Sequence, residues 1–241
     1  MSDKPRVVYE QQCPEHLRAN RSALAQWFGR SVLKLFGWRV EGRIPNVERL
    51  LIIGAPHTSN WDFVYAMATI LGLNIRLRWL AKHTIFKPGV RWFMEWLGGI
   101  PINRSKPQDV VANVARYVER ERGIAIALAP EGTRKRVDKW KNGFLRMAEA
   151  TDCKIFMIGL DFVGKRVVLG ETFEPTGDHE ADLATIMEHY KRYNGKARLH
   201  DKRSDAAELL VGSKLFVEGF FGAMGVVIGH GNGDGMFRRT L

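Results

Sequence analysis

The stretch RLLIIGAPHTSNWDF (residues 49–63) starts as a strand and finishes as a helix, and the switch between the two sets the fold class. Residues 49–55 form a short, mostly apolar run without polar alternation, the pattern of a strand buried on both faces. Pro56 ends it. Ser59 or Asn60 can cap a helix that starts near Trp61, so Asp62 falls in the first turn and His57 stays in the loop between. A strand that runs through a polar loop into a helix is the repeating step of an α/β protein, whose binding loops lie beyond the carboxyl ends of strands.

The same step recurs along the chain. IRLRWLA (75–81), GIAIALA (123–129), KIFMIGL (154–160) and KRVVLGETF (165–173) read as further strands, and helices are predicted over 88–97, 107–122, 142–151 and 180–193. In 107–122 the side chains of Val111, Val114 and Val118 share a stripe, with Ser105 as a suitable N-cap. The expected fold is α/β, a mixed, largely parallel sheet flanked by helices, with an N-terminal amphipathic helical segment. In residues 17–36, Leu17, Leu24, Phe28, Val32 and Leu35 lie close to one helical face, Trp27 sits beside it, and Arg18, Arg30 and Lys34 point mostly elsewhere. Two readings stay open: a helix packed on its own domain, or an interfacial helix on anionic lipid. Arg21 falls inside the stripe and fits either one only if its head snorkels outward. The expected organisation is a helical, membrane-associating segment over 1–40, an α/β domain over 41–210, and a Gly-rich apolar tail over 211–241 to which no chemistry is assigned.

A chain of 241 residues with 45% hydrophobic content can build one large packed domain. Its 37 Lys and Arg exceed its 26 Asp and Glu by 11, which points to an anionic partner: nucleic acid, an anionic membrane, or a phosphorylated or CoA-linked substrate. Cys13 and Cys153 are too few for a disulfide framework or a zinc site, so a reducing compartment is expected and no metal is called for. No signal-peptide core and no apolar window long enough to span a bilayer is read, so the expectation is a soluble or peripheral protein.

His57 and Asp62 are five residues apart. On a continuous helix that spacing turns through about 500° and leaves the two on different faces. With His57 in the loop and Asp62 in the first turn, the carboxylate can fold back onto one ring nitrogen and leave the other as a base. No G-x-S-x-G elbow supplies a protein nucleophile, which suits a reaction in which the substrate's own hydroxyl attacks. Two further segments lie at strand termini. In LAPEGTRKR (128–136), Gly132 allows close approach of a ligand, Glu131 can accept from hydroxyls, and Arg134 can pair with phosphate. GGIPINR (98–104) ends on Arg104. Taken singly, these are a loop histidine, a polar turn and a surface arginine.

In order and in combination, HTSNWD, GGIPINR and PEGTR resemble the glycerolipid acyltransferase family that includes 1-acyl-glycerol-3-phosphate acyltransferases. The resemblance runs from His57 to about Asp161, with IFMIGLD in the place of a fourth apolar block. It implies His57 as general base, Asp62 as the residue that holds and polarises it, and an acyl thioester as donor, with no acyl-enzyme. It also implies that Arg104, Glu131, Gly132, Thr133 and Arg134 hold the acceptor and its anionic head, with Lys82 adding positive potential. No cofactor is implied beyond acyl-CoA or acyl-carrier protein as co-substrate. The implied partners are a lysophospholipid acceptor, an anionic membrane surface and acyl-carrier protein, with no specific nucleic acid. The implied location is the cytoplasmic face of an inner membrane, held peripherally. GGIPINR departs from the family's commoner form at Asn103, where Asp is usual, which bears on acceptor identity. The rival readings are a basic lipid- or nucleic-acid-binding protein without catalysis, and a thioesterase or lipid hydrolase in which His57 activates water.

Overall fold

The computed structural model describes residues 7–59, 61–88, 91–103, 107–120, 124–132 and 140–195. Its centre is a seven-stranded sheet in the order β1-β7-β6-β2-β5-β3-β4. The strands are β1 (Arg39–Gly42), β2 (Arg49–Ala55), β3 (Leu77–Lys82), β4 (Gly99–Ile102), β5 (Ile124–Leu128), β6 (Lys154–Asp161) and β7 (Arg166–Phe173). Every neighbouring pair is parallel except β6 with β7. The fold is therefore the expected mixed, largely parallel α/β sheet. The five strands read from sequence all form; β1 and β4, each only four residues long, complete the two edges.

The run at 49–55 is buried on both faces. Leu50 and Ile52 enter one core with α1 (Ala23–Leu35) and α2 (Trp61–Gly72), while Leu51 and Ile53 enter a second with α4 (Pro107–Arg120), α5 (Gly143–Thr151) and α6 (His179–Tyr190). Period-two alternation sends successive residues to opposite layers, and both layers are apolar. The short helix α3 (Arg91–Trp96) precedes β4.

The N-terminal segment shares this core instead of standing apart. Leu17 and Leu33 are fully buried, and α1 packs along α2. The helix begins later than the apolar stripe suggested: Ser22 is its N-cap, accepting from the Ala25 amide at 3.3 Å. The stripe consequently splits. Phe28 is buried with Ala25, Gly29 and Leu33, whereas Leu24, Trp27 and Leu35 are exposed, Leu35 by 80%. Arg21 lies before the helix, where its guanidinium donates to the Ile75 carbonyl at 2.7 Å and sits 5.8 Å from the centre of the Trp96 ring. The N-cap expected at Ser105 and the tail at 211–241 lie outside the described residues.

β4 closes one edge of the sheet. The Trp79 amide donates to the Gly98 carbonyl, so with the parallel register Gly98, Ile100 and Ile102 turn their polar groups toward β3. Pro101 faces away, where its missing N–H costs no ladder bond and leaves no donor for another strand.

Candidate active site at the carboxyl rim of the sheet

Parallel pairing dictates where the motif residues meet. β2 pairs with β5 in a register that sets Ile53 beside Leu128, and β3 pairs with β5 and β4 so that Lys82 lies beside Ile102. The chain therefore leaves β2 toward His57, β5 toward Glu131, β3 past Lys82 and β4 toward Asn103, all at one rim. This is the rim at which an open α/β sheet binds ligands.

The loop after β2 folds back as its spacing implied. Asp62 Oδ2 lies 3.0 Å from His57 Nδ1 and also accepts the backbone amides of Thr58 at 2.7 Å and Ser59 at 2.8 Å. Ser59 Oγ accepts the Trp61 amide at 3.1 Å and so steadies the start of α2, while Asn60 lies outside the described residues. Asp62 is 2% exposed and the His57 side chain 29%, so the carboxylate is sealed beneath an imidazole that reaches the surface. Asp62 Oδ1 and Thr58 Oγ1 are buried without a partner among the described residues. A carboxylate on Nδ1 can fix the ring and its tautomer, an arrangement that leaves Nε2 available to accept a proton.

Glu131 has a place that sequence reasoning did not foresee. Its Oε1 accepts the backbone amide of His57 at 3.0 Å, which ties the loop after β5 to the loop after β2. The carboxylate expected to meet substrate hydroxyls thus braces the loop that carries His57. Gly132 has φ of 64° and no described atom within 4 Å of where a Cβ would sit, so glycine serves the backbone of the turn. Lys82 is exposed at the end of β3, and the neighbouring His83 sets its Nδ1 3.4 Å from the Ile102 carbonyl, as a loop histidine. Arg104, Thr133 and Arg134 lie outside the described residues.

A groove of about 630 Å³ runs between β4 and α4 from Asn103 at this rim. Ile100, Ile102, Val110 and Val114 line it with Tyr117 and Arg120. Its size is that of a small-molecule site. Among the described residues there is no group of His, Cys, Asp and Glu that could hold a metal ion. Both cysteines are buried and free, and burial pushes the Cys13 thiol up to about 11 and the Cys153 thiol above its usual value. Neither is suited to act as a thiolate.

A comparison with protein-family models bears on the family of the chain. The family model described as Acyltransferase matches residues 37–161. A comparison with curated protein sequences found no match. Among solved structures, the chain is similar to the 1-acyl-sn-glycerophosphate (LPA) acyltransferase PlsC from Thermotoga maritima, at 17% identity and a TM-score of 0.49. That alignment covers 72% of this chain and 79% of the other.

Proposed function

Because the chain belongs to the acyltransferase family, we propose that it is a glycerolipid O-acyltransferase which moves a fatty acyl chain from a thioester to the hydroxyl of a lysophospholipid. The observation that carries this reading is the arrangement of His57: Nδ1 is engaged by buried Asp62, and the ring remains partly exposed in the loop at the rim. His57 takes the proton from the acceptor hydroxyl as its oxygen attacks the thioester carbonyl. Collapse of the tetrahedral adduct breaks the C–S bond, and the proton passes from His57 to the departing thiolate. No acyl-enzyme forms.

The default acceptor is 1-acyl-glycerol-3-phosphate, held by Arg104, Glu131, Gly132, Thr133 and Arg134, with Lys82 contributing positive potential at the same rim. Asn103 favours including lyso-ornithine lipid as a second acceptor. The apolar groove beside β4 suits an acyl chain, and the donor is acyl-CoA or acyl-carrier protein. No helix among the described residues is long and apolar enough to cross a membrane. Exposed Leu24, Trp27 and Leu35 on α1, with a net charge of +11, support peripheral attachment to an anionic bilayer, at the cytoplasmic face of an inner membrane.

The test is transfer to lysophosphatidate and lyso-ornithine lipid from both donors, with wild type and His57→Ala. Wild type is expected to yield esterified lipid, and the variant to lose about 10²–10⁴-fold in kcat. Equal activity in the variant overturns the base assignment. Free fatty acid without esterified acceptor overturns the transferase reading in favour of hydrolysis, and vesicle or nucleic-acid binding without either product favours a binding protein.

A further inference from the structure

After α6 the chain crosses back over the carboxyl rim as a strap. Tyr190 Oη donates to the Ile53 carbonyl of β2 at 2.6 Å, and the Asn194 carbonyl accepts the Phe162 amide just beyond β6 at 2.8 Å. Between them the Tyr193 ring lies so close to Gly159 of β6 that a Cβ there would stand 2.4 Å from it. The strap therefore rests on two adjacent strands and brings Gly195 against the loop that carries His57. A Cβ on Gly195 would lie 2.6 Å from Thr58 Cγ2, 2.8 Å from Thr58 Oγ1 and 3.3 Å from Pro56 Cγ. These residues follow the segment that the family model matches, 37–161, so that match says nothing of them.

We propose that Gly195 is a positioning residue which backs the His57 loop and holds the Thr58 amide on Asp62; this rests on the reading of His57 and Asp62 as the acyl-transfer dyad. Gly195 is not among the positive-φ residues, so glycine is needed for space and not for backbone freedom. Turning Thr58 does not make that space. Both of its heavy γ atoms face Gly195, and a 120° step of χ1 leaves at least one of those two positions filled. A side chain at 195 presses on Thr58 itself, whose amide lies 2.7 Å from Asp62 Oδ2. Asp62 then loses a donor that fixes it, and His57 loses its orientation. Such a shift acts on the chemical step, where a displacement of about 1 Å can cost on the order of 10²-fold, and leaves substrate binding alone.

The experiment compares wild type, Gly195→Ala, Thr58→Ala, the double variant and His57→Ala in steady-state transfer and thermal denaturation. Gly195→Ala is expected to lower kcat by about 10–10²-fold, with KM for donor and acceptor within about twofold of wild type. Thr58→Ala removes the two atoms that the new Cβ meets under 3.0 Å and leaves Pro56 Cγ at 3.3 Å, so the double variant is expected to return to within about threefold of Thr58→Ala alone, a non-additive rescue. A second readout is the downfield proton resonance of His57 Nδ1–H, assigned by its loss in Asp62→Asn and recorded below each variant's melting temperature. It is expected to shift in Gly195→Ala. Wild-type kcat or an unshifted resonance in Gly195→Ala, or a kcat loss that Thr58→Ala does not relieve, overturns the proposal. If His57→Ala is itself fully active, the dyad reading fails first; if His57→Ala is inactive while Gly195→Ala is normal, only the role of Gly195 fails.

Discussion

Asp62 is fixed before any substrate arrives, because one carboxylate oxygen accepts two backbone amides and faces His57 Nδ1. Replacing it with Asn keeps an oxygen for the amides but removes the charge that steadies a protonated imidazole. Asp62→Asn should therefore lower kcat by about 10²–10⁴-fold with little change in melting temperature. Glu131 offers a graded case: Glu131→Gln retains an acceptor for the His57 amide, whereas Glu131→Ala leaves that amide unpaired. The alanine variant should be less stable than the glutamine variant by about 1–3 kcal/mol, read from denaturant unfolding. The fold-back of Asp62 onto His57 was legible in a five-residue spacing, since a strand end, a cap and a first helical turn are all local signals. The grip of Glu131 on the same loop was not legible. The two residues are 74 apart in sequence, and only the pairing of β2 with β5 brings them together.

At the level of elements, α1 and α2 approach closely because Gly29 lacks a side chain. A Cβ there would lie 2.5 Å from the Ala68 carbonyl oxygen and 2.7 Å from the Gly72 nitrogen. Gly29→Ala should lower stability by about 1–3 kcal/mol through overpacking, measured as a fall in Tm. Trp27, 59% exposed on the other side of the same helix, gives the opposite pattern. Trp27→Ser should leave Tm nearly unchanged and weaken sedimentation with anionic vesicles. Sequence periodicity marked the helix but not which side it buries, because apolar residues occupy both sides and only α2 decides between them. The strands from 49–55 to 165–173 were legible as apolar or β-branched runs. β1 was not read as a strand and β4 only as a short extended run within 98–104: four residues that include Arg39 and Glu41, or Gly99 and Pro101, carry little apolar pattern.

For the whole molecule, His189 and Asp161 tie stability to acid. Burial holds His189 below its ordinary value of 6.5, and the charge of Arg192 adds to this against the opposing pull of Glu171. The unfolded chain therefore takes up the proton first, so stability is complete above about 6.5 and declines as pH falls from there through the depressed folded value. Burial alone would raise Asp161, but hydrogen bonds from Arg166 and nearby backbone amides hold it below 3.8. Its contribution persists above that value and is lost as pH falls further, through the folded one. Tm should thus decline in two stages with acid, and His189→Gln should flatten the first stage alone. Solubility is governed at a different place, the margin of the sheet. Pro101 takes one donor from the outer side of β4, so a neighbouring molecule meets an interrupted ladder there. Pro101→Val restores that N–H on an apolar strand and should raise light scattering at high protein concentration. With that donor gone, β4 offers a second copy of the chain only a broken ladder, and a single imino acid three strands from the one that leads to His57 works against open-ended pairing.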